Sequence, residues 1–97
     1  MKAIIKAPGE KPKQIVVPNN LETLQQLVGG YIETVTIHKD PDIIILCNEE
    51  GRLDGEEFNC EVCGINFVGT IVFIGAAEDE FADCPISVGI VEELCEE

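Results

Sequence analysis

Basic residues are scarce in this chain, and the scarcity limits its partners. Only six Lys and Arg side chains stand against nineteen Asp and Glu, which gives a formal net charge of −13. The imbalance lies in one part of the chain, because residues 1–39 carry +2 while residues 40–97 carry −15. A surface of this sign repels the phosphates of nucleic acids and of anionic membranes, so we expect no nucleic-acid or membrane partner.

Long apolar segments are also missing. The longest nearly apolar stretch, Ile65 to Ala77, is too short to span a bilayer and is interrupted by Asn66, Gly69, Thr70 and Gly75. The apolar run at the N-terminus is too short for a signal peptide, since Pro8 and Gly9 follow at once. We therefore expect a cytoplasmic protein.

Histidine is nearly absent, and the cysteines do not fit a disulfide scaffold. His38 is the only histidine and lies in a predicted turn, with no Ser or Cys spaced as in a nucleophile triad. The five cysteines are an odd number, whereas exported disulfide scaffolds usually carry an even one. Without an export signal we expect reduced thiols.

One pair of cysteines has metal-ligand spacing. Cys60 and Cys63 form a CxxC, in which two thiolates can share one zinc ion. A structural zinc site needs two further ligands, and the chain has no second close pair. The hypothesis of unligated thiols is therefore favoured, and zinc at Cys60 and Cys63 stays open.

The hydrophobic patterns predict one α+β domain over residues 1–97. A short strand around Ile4 and a second over residues 14–17 are joined by a Pro- and Gly-rich connection, which favours a hairpin. Asn19 or Asn20 can cap a following helix, which ends at Gly29. Its apolar face comprises Leu21, Leu24, Leu27 and Val28.

Three further strands are predicted in the second part of the chain, over residues 31–37, 43–47 and 65–75. The unbroken apolar run of the second of these is typical of a strand covered on both faces. Residues 52–64 and 76–83 are interpreted as irregular. Residues 87–97 favour a helix capped by Ser87, although the alternation of Ile86, Val88 and Ile90 also fits a strand. The order β-β-α-β-β-β-α predicts a mostly antiparallel sheet with two short helices packed on it.

Three segments carry a resemblance to a known family. They are the opening Met1-Lys2-Ala3-Ile4 with Pro8-Gly9, then Gly29-Gly30-Tyr31-Ile32-Glu33, then Cys47-Asn48-Glu49-Glu50-Gly51. With them the chain resembles a domain-of-unknown-function family of firmicute bacteria, phages and mobile elements, over nearly its whole length. The resemblance implies a mobile-element setting and brings no activity with it.

The chain departs from that family at one position. Family members often carry Leu-Pro-Pro-Asn-Arg after the Asn-Glu-Glu-Gly turn. Here Asn59 is kept, but Cys60 follows it in place of the arginine.

Polar residues at a strand end are the best candidates for a ligand site. We expect a small-molecule pocket, if one exists, to use Tyr31, Asn48, Glu49, Arg52 and Asn59. Acid–base chemistry would need a second carboxylate, for which Glu33 is available.

No catalytic residues assemble from the sequence, so a non-catalytic binding or interaction protein is favoured. Its target would be a host protein, bound directly or through acidic mimicry of a nucleic acid, or a small molecule that it sequesters. The alternative is a small zinc-stabilised domain or a cysteine/carboxylate enzyme. An exposed sheet edge can also support a homo-oligomer.

Overall fold

A computed structural model of the chain describes residues 1–95. Over these residues the chain forms eight strands and two helices. Neither helix has the length and apolar character needed to cross a membrane. Glu96 and Glu97, the end of the predicted C-terminal helix, lie outside the described residues.

An antiparallel sheet forms the centre of the molecule. Five of its strands follow the order β2-β1-β7-β4-β3, and their bounds are β1 Lys2–Lys6, β2 Lys13–Val16, β3 Ile32–His38, β4 Ile43–Asn48 and β7 Ile71–Ala77. A sixth strand, β8 (Glu80–Ala82), pairs with β7. The predicted β1–β2 hairpin is confirmed, with Ile4 opposite Gln14. Among the described residues β3 pairs only with β4, so it forms one edge of the sheet.

One face of the sheet is covered by α1 (Leu21–Val28). The Asn20 side chain caps this helix by accepting a 2.8 Å hydrogen bond from the Thr23 amide, and Gly29 ends it in the left-handed conformation. Leu24 and Val28 are buried against a layer formed by Ala3, Ile44, Leu46, Val72 and Ile74.

The opposite face is covered by α2 (Val88–Cys95) and by a separate hairpin. The Ser87 hydroxyl accepts a hydrogen bond from the Ile90 amide, so the predicted cap is present and helix, not strand, is the conformation of residues 88–95. β4 is buried along its whole length between these two layers, as its apolar run predicts.

The separate hairpin corrects the prediction of an irregular segment over residues 52–64. β5 (Phe58–Val62) and β6 (Ile65–Val68) pair antiparallel and form a sheet of their own. Cys63 and Gly64 connect them with φ of 52° and 81°, the signs that a type I′ turn requires. The side chains of Cys60 and Val62 are buried on the inner side of the hairpin, and Glu61 between them is exposed.

Two other boundaries were predicted wrongly. The expected continuous strand over residues 65–75 is divided at Gly69, where φ is +71° and β6 leaves the hairpin before β7 enters the main sheet. Residues 76–83 are not all loop, because Glu78 and Asp79 form a tight turn with positive φ that pairs β8 back onto β7. The fold class itself is confirmed as α+β, with a mostly antiparallel sheet and two helices.

Candidate functional site

Asn48 stands at the end of β4 and holds three segments together. Its side-chain oxygen accepts a 2.9 Å hydrogen bond from the Glu50 amide. Its side-chain nitrogen donates to the Gly29 carbonyl at 3.3 Å and to a Glu56 carboxylate oxygen at 3.0 Å. The residue is buried, and a Cβ on neighbouring Gly30 would lie only 3.0 Å from its amide. The amide of Asn48 is therefore engaged within the chain itself.

A cleft opens on the hairpin-covered side of the sheet, between the β3–β4 pair and the β5–β6 hairpin. Its volume is about 280 Å³. We name it the β3 cleft and define it by its lining, which is polar at Glu33, Asn48, Glu49, Arg52 and Asn66 and apolar at Val35, Cys47, Leu53, Ile65, Phe67 and Val68. Three of the five residues predicted for a ligand pocket, Asn48, Glu49 and Arg52, meet here.

Backbone pairing positions the two carboxylates of the β3 cleft. Glu33 lies opposite Cys47 in the β3–β4 register, on the side of the sheet that faces the hairpin. The Glu49 amide donates a 2.8 Å hydrogen bond to the Tyr31 carbonyl, which extends the pairing past the end of β4. The second carboxylate considered from the sequence, Glu33, thus lines the same cleft as Glu49.

Arg52 supplies the one cation of the cleft lining. Its Nη2 donates to the Asn66 carbonyl oxygen in β6, which ties the acidic connection after β4 to the separate hairpin. Arg52 and Asn66 are exposed, so the contact remains open to solvent. The guanidinium offsets only part of the negative charge of Glu33 and Glu49.

The other two predicted ligand residues lie outside the β3 cleft. Tyr31 is 70% exposed and borders a second cavity of about 310 Å³, together with Gln25, Gly30, Glu50 and Asp54. Asn48 lines both cavities. Tyr31 as a ligand contact stays a prediction.

Asn59 lies in β5 and links it to β1. Its side-chain nitrogen donates to the carbonyls of Lys6 at 2.9 Å and Gly69 at 2.7 Å, and its side-chain oxygen accepts from the Lys6 ammonium at 2.9 Å. Through these three bonds the Asn59 amide attaches β5 to β1 and to Gly69. A ligand role for Asn59 stays a prediction.

The predicted zinc pair is separated by the fold. Cys60 is buried on the inner side of β5, whereas Cys63 is exposed in the hairpin turn. Among residues 1–95 no group of three or more His, Cys, Asp or Glu side chains could hold a metal ion. Cys95 of α2 packs against the buried cluster to which Cys60 belongs. Zinc at Cys60 and Cys63 stays a prediction.

The one thiol in the β3 cleft is poorly suited to act as a nucleophile. Burial, and to a lesser extent the charge of Glu33, raises the pKa of Cys47 to about 11, which outweighs the lowering effect of Arg52. At neutral pH the thiol is protonated, and a thiol in that state is a weak nucleophile. The arrangement is better suited to hold a ligand by charge and apolar contact than to form a covalent bond with it.

The apolar rim of the cleft was not predicted from the sequence. Leu53 is 87% exposed and Ile65 is 39% exposed, and both border it. Leu53 carried a signal, because a leucine between Arg52 and Asp54 is an isolated apolar residue in a charged connection. Ile65 carried none, since it was assigned to a long buried strand.

Comparison with known proteins gives a family and no described relative. Neither a search of the curated proteins nor a search of the solved structures found a match. The family model described as Domain of unknown function (DUF3846) matches residues 1–95, and the chain therefore belongs to that family.

Proposed function

We propose that the protein is a non-catalytic binding protein whose β3 cleft holds a basic, partly apolar segment of a partner protein. The observation that carries this proposal is the composition of the cleft. It combines the carboxylates of Glu33 and Glu49 with the exposed apolar side chains of Leu53 and Ile65. A segment that alternates basic and apolar residues complements both.

The charge of the whole surface supports a basic partner. None of the seventeen Asp and Glu side chains among residues 1–95 is buried, while one of the six cations, Lys6, is only 9% exposed. An acidic surface of this kind attracts a basic protein over distances of about a Debye length, ~8–10 Å at ordinary salt, and raises the association rate.

The sheet edge next to the cleft supports a polypeptide as the ligand. The side chains of Glu33 and Val35 line the cleft, while the backbone of β3 pairs with β4 on one side only among the described residues. An extended segment can add to such an edge through main-chain hydrogen bonds and place alternate side chains in the cleft. Small-molecule sequestration is less favoured, because about 280 Å³ lies at the lower limit of ligand pockets.

The resemblance of the motif segments around Met1, Gly30 and Asn48 to a family of firmicute bacteria, phages and mobile elements supports a setting for this binding. In that setting the partner would be a host protein. A host protein that normally binds nucleic acid is one version of the proposal, with the carboxylates standing in for phosphates.

The test uses a defined basic peptide. A fluorescein-labelled peptide of about eight residues with alternating Lys and Val is titrated with the full chain and followed by fluorescence anisotropy. We expect saturable binding that weakens as ionic strength rises from about 0.05 M to about 0.5 M. A peptide with Ser in place of Lys should bind weakly or not at all.

Matched variants locate the site. Glu33→Gln with Glu49→Gln should weaken binding by roughly fivefold, because each exposed charge contributes up to about 1 kcal/mol. Glu22→Gln with Glu78→Gln makes the same change of net charge at exposed positions outside the cleft lining and should leave affinity nearly unchanged. Equal weakening by both pairs would show diffuse charge attraction and overturn the assignment to the cleft.

A further inference from the structure

A cluster of one lysine and two cysteines lies away from the β3 cleft, where α2 packs against β5. Cys60 on the inner side of β5 is 5% exposed, and the side chain of Cys95 in the last turn of α2 packs against the buried cluster to which Cys60 belongs. Lys6 of β1 is 9% exposed. Its ammonium donates to the Ala7 carbonyl at 3.0 Å and the Asn59 amide oxygen at 2.9 Å, and its charge acts on both thiols.

The two thiols hold their protons unequally. The neighbouring Cys95 side chain, and to a lesser extent the charge of the Lys6 ammonium, lowers the pKa of Cys60 to about 7 against the effect of burial. The same contact raises the pKa of Cys95, because its proton is held between the two sulfurs. Near neutral pH the pair therefore loses one proton and keeps one, a state that favours thiol–disulfide exchange.

Small molecules have a route to one of these sulfurs. Cys95 and Lys6 line a cavity of about 230 Å³ together with Glu92 and the Gly9–Pro12 connection between β1 and β2. Cys95 is partly exposed, whereas Cys60 lies buried behind it. A reagent entering this cavity meets Cys95 first.

We propose that Cys60 and Cys95 are a redox-active dithiol, a site of reversible disulfide formation that takes low-molecular-weight disulfides as its oxidant. Cys95 passes its proton to the neighbouring Cys60 thiolate as its sulfur attacks one sulfur of the small disulfide, forms a mixed disulfide and releases one small thiolate. That small thiolate takes the proton from Cys60, whose sulfur then attacks Cys95 Sγ, forms the Cys60–Cys95 bond and releases the second small thiolate. Two protein sulfurs are oxidised and one small disulfide is reduced to two thiols, which take up one proton from the cysteine pair and one from solvent.

The other cysteines lack this combination of a partner thiol, a cation and an access route. Cys47 and Cys84 are buried, and burial raises the pKa of each. Cys63 is exposed in the hairpin turn and provides a control for ordinary surface reactivity. The proposal is independent of the ligand of the β3 cleft, because Lys6, Cys60 and Cys95 do not line that cleft.

The experiment treats the reduced full chain with oxidised glutathione, then unfolds it in denaturant and alkylates the remaining thiols with iodoacetamide, and maps the peptides by mass spectrometry. We expect a linked pair of peptides in which Cys60 is joined to Cys95, lighter by two hydrogen atoms than the two reduced peptides together. The other three cysteines should be alkylated. Dithiothreitol should restore alkylation of Cys60 and Cys95. The same bond should form in Cys63→Ser.

Single variants separate the two steps. Cys60→Ser lacks the second thiol and should accumulate glutathione on Cys95, whereas Cys95→Ser should form no internal disulfide. Circular dichroism shows whether each variant is folded, and Cys95→Ser, at the more exposed position, keeps the test valid if Cys60→Ser is not. If Cys63 is the thiol consumed while Cys60 and Cys95 remain alkylated in the wild type, the proposal is overturned.

Discussion

The Asn48 side-chain amide donates a 3.0 Å hydrogen bond to the Glu56 carboxylate, and this bond joins the end of β4 to the acidic connection that precedes β5. The Glu56 amide in turn donates to the Gly51 carbonyl at 3.0 Å, which closes the connection on itself. Glu49 and Arg52 both stand on this connection. The geometry of the β3 cleft therefore depends on a buried amide that lies behind the charged side chains.

Replacing Asn48 by aspartate should test that dependence with little change of shape. In Asn48→Asp a carboxylate oxygen replaces the amide nitrogen that donates to Glu56. The hydrogen bond thereby becomes a like-charge contact at a buried position. We expect a loss of about 2–3 kcal/mol in the free energy of unfolding at pH 7, measured by urea denaturation.

The pH dependence of this variant has a defined sign. Burial and the negative neighbour favour the protonated form of the new carboxyl in the folded protein, so its penalty should shrink as pH falls toward about 4. Asn66→Asp makes the same substitution at an exposed position and should change stability by less than about 0.5 kcal/mol. Equal losses in the two variants would contradict a special role of Asn48.

Gly69 should not tolerate a side chain, because it packs against the same Glu56 carboxylate that bonds to Asn48. Its φ is +71°, and a Cβ there would overlap the Glu56 carboxylate. In Gly69→Ala the carboxylate must move away and give up its bond to Asn48. We expect a loss of roughly 2–4 kcal/mol in the free energy of unfolding, from left-handed strain together with overpacking.

A matched glycine separates those two contributions. Gly64 has a similar φ of +81° and no atom within 4 Å of an added Cβ, so Gly64→Ala should cost only about 1 kcal/mol. Adding Glu56→Ala to Gly69→Ala should recover part of the larger loss, because it removes the overlapping carboxylate. If Gly64→Ala and Gly69→Ala melt alike, the clash with Glu56 is not significant.

The elements that the sequence predicted are those with strong local signals. Helix α1 has a capping asparagine and an apolar face at helical spacing, and β4 has an unbroken apolar run; both appear where they were expected. Whether Asn19 or Asn20 caps the helix was left open by spacing. The structure selects Asn20, while the Asn19 side chain donates to the Phe81 carbonyl of β8, a contact between distant parts of the chain.

The elements that were missed either lacked such signals or had them obscured by a neighbouring pattern. The turn that joins β7 to β8 uses Glu78 and Asp79 with φ of 53° and 69°. Glycine or asparagine at these positions would have predicted a hairpin. The β5–β6 hairpin did carry an X-Gly turn at Cys63 and Gly64, but it was obscured by the interpretation of residues 65–75 as one strand.

The site could be predicted only in part, because its residues meet through tertiary pairing. Glu49 and Arg52 are near in sequence, so a strand-end argument found them. Leu53 was overlooked as an isolated residue, and Ile65 joins them only because the hairpin folds back over β3 and β4. Asn48 was found as a polar residue at a strand end and Asn59 as the asparagine kept from the family's segment, but nothing in the sequence shows that their amides would bond to Glu56 and to Lys6.

Cys47 should make the protein sensitive to alkaline pH. Burial first, and then the charge of Glu33, raises its pKa from 9.0 to about 11 in the folded chain. Well below pH 9 the thiol is protonated in both states and stability is unaffected. As pH rises from about 9 to about 11, the unfolded chain releases this proton while the folded chain keeps it, so stability falls.

Removing the Cys47 thiol should therefore flatten the stability profile between pH 9 and pH 11. In Cys47→Ala the packing loss is the same at every pH, whereas the alkaline loss should be smaller than in the wild type by on the order of 2 kcal/mol. Urea denaturation at several pH values gives both profiles, and the contributions of the other thiols cancel between them. Cys63→Ala is the control, because it removes an exposed thiol and should keep the wild-type slope. Parallel profiles for Cys47→Ala and the wild type would mean that Cys47 ionises as readily in the folded chain as in the unfolded one.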